Sequence, residues 1–342
     1  MNFTTIVTSR PQPDDVCVMA SFFSALHYTT GTIGILANLF VFYCIFRKSQ
    51  NSIREYRILL GNSALTDLIC TMALMFLQPR LIPHKFVFIY MAEGPAKYFG
   101  PEVCYYTYCI ILNMIFFTFI AFTYSFGYRY YVLIRRPPTQ TRLILIALGL
   151  YSIAFCQLIL FINSKAPFEH IRKYAIENVP ELDITNETVS GNDGARDPLT
   201  FVTLFLICVP MFPIYLIVIY IRRKVHGMLD GGSFSERTKQ AHRSLMLALT
   251  VHAALPVCFI FPPIIIYGGY HLVPALRFHV VEFLVFSMFA WTHMTNPLVT
   301  IYFVRPYNRA ARQVFCIWRR TQIKHLAETS VYPSTISHAV KE

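Results

Sequence analysis

The most constraining feature of this chain is a run of twenty-six residues without a formal charge, Val103 to Tyr128, set between Glu102 and Arg129. A helix of that length, at about 1.5 Å per residue, is about 39 Å long and exceeds the hydrocarbon thickness of a bilayer. Comparable uncharged runs cover Val16 to Phe46, Leu143 to Ser164 and Pro198 to Ile221. Ile58 to Gln78 forms another, broken only by Asp67, and Ser244 to Tyr267 another, carrying Pro256, Pro262 and Pro263. The last, Phe278 to Val304, holds one acid, Glu282, near its start. Seven such spans specify an all-α fold, a seven-transmembrane-helix bundle.

Composition agrees. Charged residues make up 14% of the chain and hydrophobic ones 55%, whereas soluble domains carry about 25% charge. A net charge of +12 raises nucleic acid as a partner. The basic residues instead flank apolar runs, and no soluble domain gathers them into a patch, so nucleic-acid binding is set aside. The chain divides into a polar N-terminal segment over 1–15, a membrane domain over 16–304 and a tail over 305–342. Residues 1–15 lack a basic start leading into a short apolar core, so a cleaved signal peptide is not expected. Pro79, Pro83, Pro95 and Pro101 mark a non-helical loop after span two.

Orientation follows from charge. On one set of alternate connecting segments fall 21 of the 30 Lys and Arg, on the other set 9. The positive-inside rule then puts the N-terminus outside. The same choice puts outside the acidic loop 165–197 and both glycosylation acceptors, Asn2 and Asn186.

Polar groups inside spans are costly and usually have a role. Asn38, Asp67 and Asn296 lie on three spans at one depth, which predicts a shared polar hub able to hold water or a cation. Pro297 adds a helix break at that depth. Arg129 stands where span three meets the cytoplasm, as a stop charge or as a latch whose partners change on opening. Glu282 either pairs with an outer basic residue or contacts ligand. His27, His252 and His293 match no zinc spacing and are expected to bond between helices. No metal or cofactor is implied.

Beyond span seven, Tyr307, Ala311, Val314 and Trp318 recur at helical spacing among Arg309, Arg312, Arg319 and Arg320. This predicts a short cytoplasmic amphipathic helix along the inner leaflet, with Cys316 a candidate for palmitoylation.

Asn38, Leu65-Thr66-Asp67, Tyr128-Arg129-Tyr130 and Asn296-Pro297 resemble the signature positions of rhodopsin-like seven-helix receptors. Other stretches are similar to nematode serpentine chemoreceptors of class delta. These are Gln78-Pro79-Arg80-Leu81-Ile82-Pro83, Lys97-Tyr98-Phe99-Gly100-Pro101, Tyr128-Arg129-Tyr130-Tyr131, Asn296-Pro297-Leu298 and Ile301-Tyr302-Phe303. The resemblance implies a chemosensory receptor in the plasma membrane that detects a small environmental ligand and signals to a heterotrimeric G protein. Arg129, Tyr130 and Arg243 are then the coupling candidates at the inner face. Two departures stand out. Tyr128 occupies the place of the acid that usually adjoins the arginine, and Thr300 the place of the tyrosine that usually follows Asn-Pro.

Depth alone nominates Tyr105, Tyr108, Asn113, Tyr267 and Glu282 for an outer ligand pocket. Many rhodopsin-like receptors join the top of span three to the second outer loop by a disulfide, but 165–197 contains no cysteine. Only Cys17 and Cys104 lie at the outer edge, and they are either joined or two free thiols. The competing reading is a multi-span transporter or odorant-gated channel, which would show repeat halves or a polar pore stripe. Neither is visible. An intramembrane enzyme would need a motif such as Gly-x-Ser-x-Gly, and none occurs.

Overall fold

The computed structural model describes residues 13–48, 56–85, 87–180, 182, 184, 187–194, 197–231, 236–272, 279–314 and 316. Asn2, Asn186 and Trp318 lie outside the described residues. Six helical stretches are long and apolar enough to cross a membrane: Val16–Arg47, Tyr56–Leu77, Pro101–Ile134, Gln140–Asn163, Pro198–Asp230 and His242–Tyr270. A seventh, His279–Phe303, has 25 residues and reaches the necessary length. Its polar residues Glu282, Ser287, Thr292, His293, Asn296 and Thr300 are all buried, so they face protein rather than lipid.

In chain order the helices are α1 (Pro13–Arg47), α2 (Tyr56–Leu77), α3 (Pro101–Ile134), α4 (Gln140–Asn163), α5 (Phe168–Asn178), α6 (Pro198–Cys208), α7 (Met211–Gly231), α8 (Glu236–Phe259), α9 (Phe261–Leu272) and α10 (His279–Phe303). Spans five and six are each two helices. Pro210 sits in the break between α6 and α7. Pro262 and Pro263 follow the break at Ile260, where the first turn of α9 tolerates missing N–H donors. Helix α3 is the central post, touching α2, α4, α7 and α8, while α10 packs on α1, α2 and α8. Gly34 allows that approach: a Cβ there would lie 3.1 Å from Thr71 Cγ2 and 3.4 Å from the Met294 Cα.

The sequence predicts helices alone in the membrane domain, with an irregular loop after span two. The structure adds a three-stranded antiparallel sheet over one end of the bundle. Its order is β1 (Pro79–His84), β2 (Val87–Ala92), β3 (Val189–Asn192), with Leu81 opposite Tyr90 and Tyr90 opposite Ser190. Gly191 lets β3 close on β2, since a Cβ there would overlap the Phe88 carbonyl oxygen. The sheet is amphipathic in the two-residue sense. Leu81 and Tyr90 join the helix core, whereas Ile82, Ile89 and Met91 pack with Ile171 and Ala175 of α5. Sheet and α5 thus form a second layer above the helices.

At the opposite end, residues 305–314 form a further helix, α11. Tyr307 and Ala310 are its buried residues, packed with Val41, Cys44, Ile45, Leu59 and Leu60. The sequence assigns the apolar face to Tyr307, Ala311 and Val314. Ala311 is half-buried and Val314 exposed, because contact with α1 and α2 selects the face one position earlier.

Candidate functional site: aromatic cluster, polar hub and caged arginine

Three sites lie along the bundle axis. At the sheet end, Tyr90 of β2 projects into the helices and stacks on Tyr108 of α3, with ring centroids 4.0 Å apart. Tyr108 also meets Phe161 at 6.0 Å and Phe286 at 5.6 Å, and Tyr267 of α9 stacks on Phe88 of β2 at 6.3 Å. Each favourable ring pair contributes about 0.5–1.5 kcal/mol beyond its buried area.

The Tyr90 hydroxyl donates to Asn192 Oδ1 at 2.6 Å. Asn192 Nδ2 in turn donates to Tyr105 Oη at 2.9 Å and to the Ser164 carbonyl at 2.7 Å. One buried asparagine therefore ties β3 to α3 and to the end of α4. Burial raises the Tyr90 hydroxyl pKa well above its ordinary value, so the group stays a donor.

Arg80 of β1 locks the sheet to α10. Its Nε and Nη2 donate to Glu282 Oε2 at 2.9 and 2.8 Å. Its guanidinium lies 4.6 Å from the Phe283 ring centroid, and its Nη1 stands 3.8 Å from Glu93 Oε1. Both members of the central pair are buried, Arg80 at 4% exposure and Glu282 at 0%.

Of the five residues nominated by depth, Tyr108 and Tyr267 belong to one aromatic cluster beneath the sheet. Tyr105 is turned to α4, donating to the Phe161 carbonyl at 2.7 Å. Asn113 also faces α4, donating to the Ala154 carbonyl at 2.5 Å and to Gln157 Oε1 at 3.3 Å. Glu282 pairs with a basic residue, the first of the two readings its sequence position left open.

Midway along the bundle, Asp67 Oδ1 accepts from Asn296 Nδ2 at 2.9 Å and stands 2.7 Å from His293 Nδ1. His252 Nε2 lies 3.0 Å from the Asn296 carbonyl and 3.4 Å from Thr300 Oγ1. Asn38 donates within its own helix, to the Gly34 carbonyl at 2.9 Å. It nevertheless lines a cavity of about 20 Å³ together with Asp67, His252, Asn296 and Thr300, enough for one water. The side-chain carbonyl oxygens of Asn38 and Asn296 have no partner among the described residues. All three residues of the expected hub therefore line one cavity, though only Asp67 and Asn296 bond to each other. His27 meets Ser287 at 3.1 Å, so all three span histidines bond between helices. Among the described residues no group of three His, Cys, Asp or Glu could hold a metal ion.

At the other end Arg129 is buried, at 5% exposure. Its guanidinium carbon lies 3.6 Å above the Tyr56 ring centroid and 6.0 Å from that of Tyr128, and those two rings stack at 6.0 Å. The missing neighbouring acid is thus replaced by an aromatic platform, a cation–π arrangement. Arg129 Nε and Nη2 have no hydrogen-bond acceptor among the described residues. Tyr130 is half-buried beside Phe126 and Val218. Arg243 is exposed and pairs with Asp230 at 2.8 Å, bridging α8 to α7.

Two sequence expectations concerned cysteines. Cys17 and Cys104 are not joined in the structure: Cys17 is an exposed thiol on α1, and Cys104 is a buried one. Cys104 points inward under the 3₁₀ turn Pro95–Phe99 and donates to the Ala96 carbonyl at 3.3 Å. Cys316 is exposed on the tail helix.

Sequence reasoning did not nominate Arg80, Tyr90, Asn192 or Tyr56. Arg80 carried a signal, a lone cation between two prolines, but its partner lies 202 positions away.

A membrane bundle of seven spans, with a polar hub at mid-depth and a caged arginine at one end, has the architecture of a seven-helix receptor. This chain belongs to the family described as serpentine type 7TM GPCR chemoreceptor Srd, whose profile matches residues 23–313. It is similar to serpentine receptor class delta-19 of Caenorhabditis elegans, 29% identical over 303 residues that cover 86% of this chain and 88% of that protein. Serpentine receptor class delta-2 of the same organism is 26% identical over 320 residues, covering 89% and 86%. Class delta-18 is 29% identical over 308 residues, covering 86% and 89%.

Proposed function

We propose that this chain is a plasma-membrane chemosensory receptor that binds a small, largely apolar ligand beneath its sheet and catalyses nucleotide exchange on a heterotrimeric G protein. The N-terminus is extracellular, so the sheet end faces outside and the Arg129 end faces the cytoplasm. Residues 16–304 act as one receptor domain and 305–342 as a cytoplasmic tail. The observation that carries the reading is the state of Arg129 within a family of GPCR-type chemoreceptors. It is a buried cation, stacked on an aromatic ring, with Nε and Nη2 lacking an acceptor among the described residues. Opening of the cytoplasmic end exposes it to a G-protein backbone or carboxylate.

The ligand site under the sheet centres on Tyr108 and Tyr267, with Tyr90 as the side chain a ligand displaces. Tyr105, Asn113 and Glu282 hold the wall from behind. Aromatic surface with a few polar groups suits an apolar guest. Because the sheet fills this space, a ligand must bind the open arrangement more tightly than the closed one in order to shift the equilibrium. Tyr130 and Arg243 flank the coupling face. Glycans on Asn2 and Asn186 and a palmitoyl group on Cys316 are consistent with this orientation.

The test is guanine-nucleotide exchange on added G protein by membranes carrying the wild-type chain or Arg129→Ala, at matched surface expression. Lost exchange in the variant supports the role given to Arg129; equal exchange removes it.

A further inference from the structure

We infer that a groove between α3 and α4 at the arginine end holds a glycerophospholipid with an anionic headgroup, its phosphate at Arg142 and an acyl chain against Gly127. The groove measures about 330 Å³ and is lined by Tyr124, Gly127, Tyr128 and Tyr131 of α3, Pro138 of the connecting turn, and Arg142, Leu143 and Ile146 of α4. That volume lies within the range of small-ligand pockets.

Its floor is fixed, because Tyr124 Oη donates to the Leu143 carbonyl at 2.9 Å and so ties the two helices across the gap. Its middle is open, since a Cβ added at Gly127 meets nothing within 4 Å. The face around it belongs to the bilayer. Ile144, Leu145, Ile146 and Leu148 of α4 are all exposed, and a span-length apolar helix with that pattern looks onto acyl chains.

Charge selects the headgroup. The only charged residue lining the groove is Arg142, which is exposed and has no ion pair among the described residues. Arg135 and Arg136 stand exposed at the end of α3 just before the turn. No acidic residue occurs anywhere between Glu102 and Glu169. A zwitterionic headgroup gains little from such a field, and an anionic one is favoured by each basic residue near the surface. Arg142 also lies in the first turn of α4, whose N-cap Thr139 accepts from the Arg142 amide at 3.4 Å, so the helix dipole has the same sign there.

The experiment uses the full chain, reconstituted in nanodiscs of dioleoyl phosphatidylserine and dioleoyl phosphatidylcholine in equal parts, then released into detergent for native mass spectrometry. The inference expects phosphatidylserine to be retained in preference to phosphatidylcholine. Arg142→Gln should weaken that retention about fivefold, and Arg142→Lys should keep most of it. Gly127→Leu, whose Cβ would meet no atom within 4 Å, should abolish retention while leaving thermal stability unchanged. Equal retention of both lipids, or retention of phosphatidylserine unchanged in Arg142→Gln and Gly127→Leu, would overturn the assignment. Loss in Gly127→Leu alone would mean that the groove takes an apolar chain without reading the headgroup, which contradicts the role of Arg142.

Discussion

Breaking the Arg80–Glu282 pair should loosen the sheet from the helices more than any other single change on that surface. Glu282 Oε2 receives two N–H bonds from one guanidinium at 2.8 and 2.9 Å, and its other oxygen lies 3.4 Å from His279 Nδ1. Among the described residues, Glu282→Leu leaves the buried guanidinium with one carboxylate, Glu93 at 3.8 Å. Arg80→Met leaves a fully buried carboxylate without its guanidinium partner. Removing one partner of a buried ion pair costs about 3–5 kcal/mol, whereas replacing both by apolar groups of similar volume is often near neutral. Each single variant should therefore lower the unfolding midpoint in a fixed detergent by on the order of 10 °C. The double variant Arg80→Met, Glu282→Leu should recover most of that loss. Double-mutant-cycle analysis of thermal unfolding, with hydrogen exchange on β1 and β2, reads both effects. Additive losses in the double variant, or single losses below about 1 kcal/mol, would refute the claim that this pair is closed and desolvated.

Three further outcomes follow from the geometry. Tyr56→Leu removes the ring under Arg129, so ligand-independent exchange should rise between about two- and thirtyfold, the range of a cation–π contact, while Tyr56→Phe stays near wild type in the same assay. Maleimide should label Cys17 but not Cys104 in the intact receptor, and denaturation without reductant should render both alkylable; a disulfide-linked peptide in the digest would contradict the free thiols. Burial holds the Glu93 carboxyl pKa above its ordinary 4.5, against the opposing pull of Arg80. Its folded form thus keeps the proton longer than the unfolded chain does, so its stabilising contribution is full below pH 4.5 and fades as pH rises through the folded value. Thermal midpoints across that window should fall with pH in wild type relative to Glu93→Gln, and parallel curves would argue against it.

Helical spans were legible because bilayer thickness imposes a length that charge-free runs such as 103–128 announce directly. The hub was legible for a similar reason: Asn38, Asp67 and Asn296 share a depth that helix rise computes from sequence. His293 was not foreseen as the partner of Asp67, since facing depends on how α10 is rotated against α2. The sheet left a weaker trace. Pro79 and Pro83 in β1 read as loop residues, yet both sit on an edge strand, where missing donors are tolerated. Strand β3 is four residues long and pairs with β2 across about a hundred positions, a contact that no local pattern encodes. Once that pairing is missed, Tyr90 and Asn192 cannot be placed over Tyr108 and Tyr105. The cysteine pair turned on rotation as well: depth put Cys17 and Cys104 near one surface and left a bond or two free thiols open, and with Cys104 buried and Cys17 exposed the structure has two free thiols.

The account rests most directly on one measurement: guanine-nucleotide exchange on purified heterotrimeric G protein by the reconstituted full chain, read alongside ion current and solute uptake in the same vesicles. It predicts exchange above that of empty vesicles, reduced in Arg129→Ala and raised in Tyr56→Leu, with no current or uptake attributable to the chain. Current or uptake without any exchange, across the available classes of G protein, would contradict it.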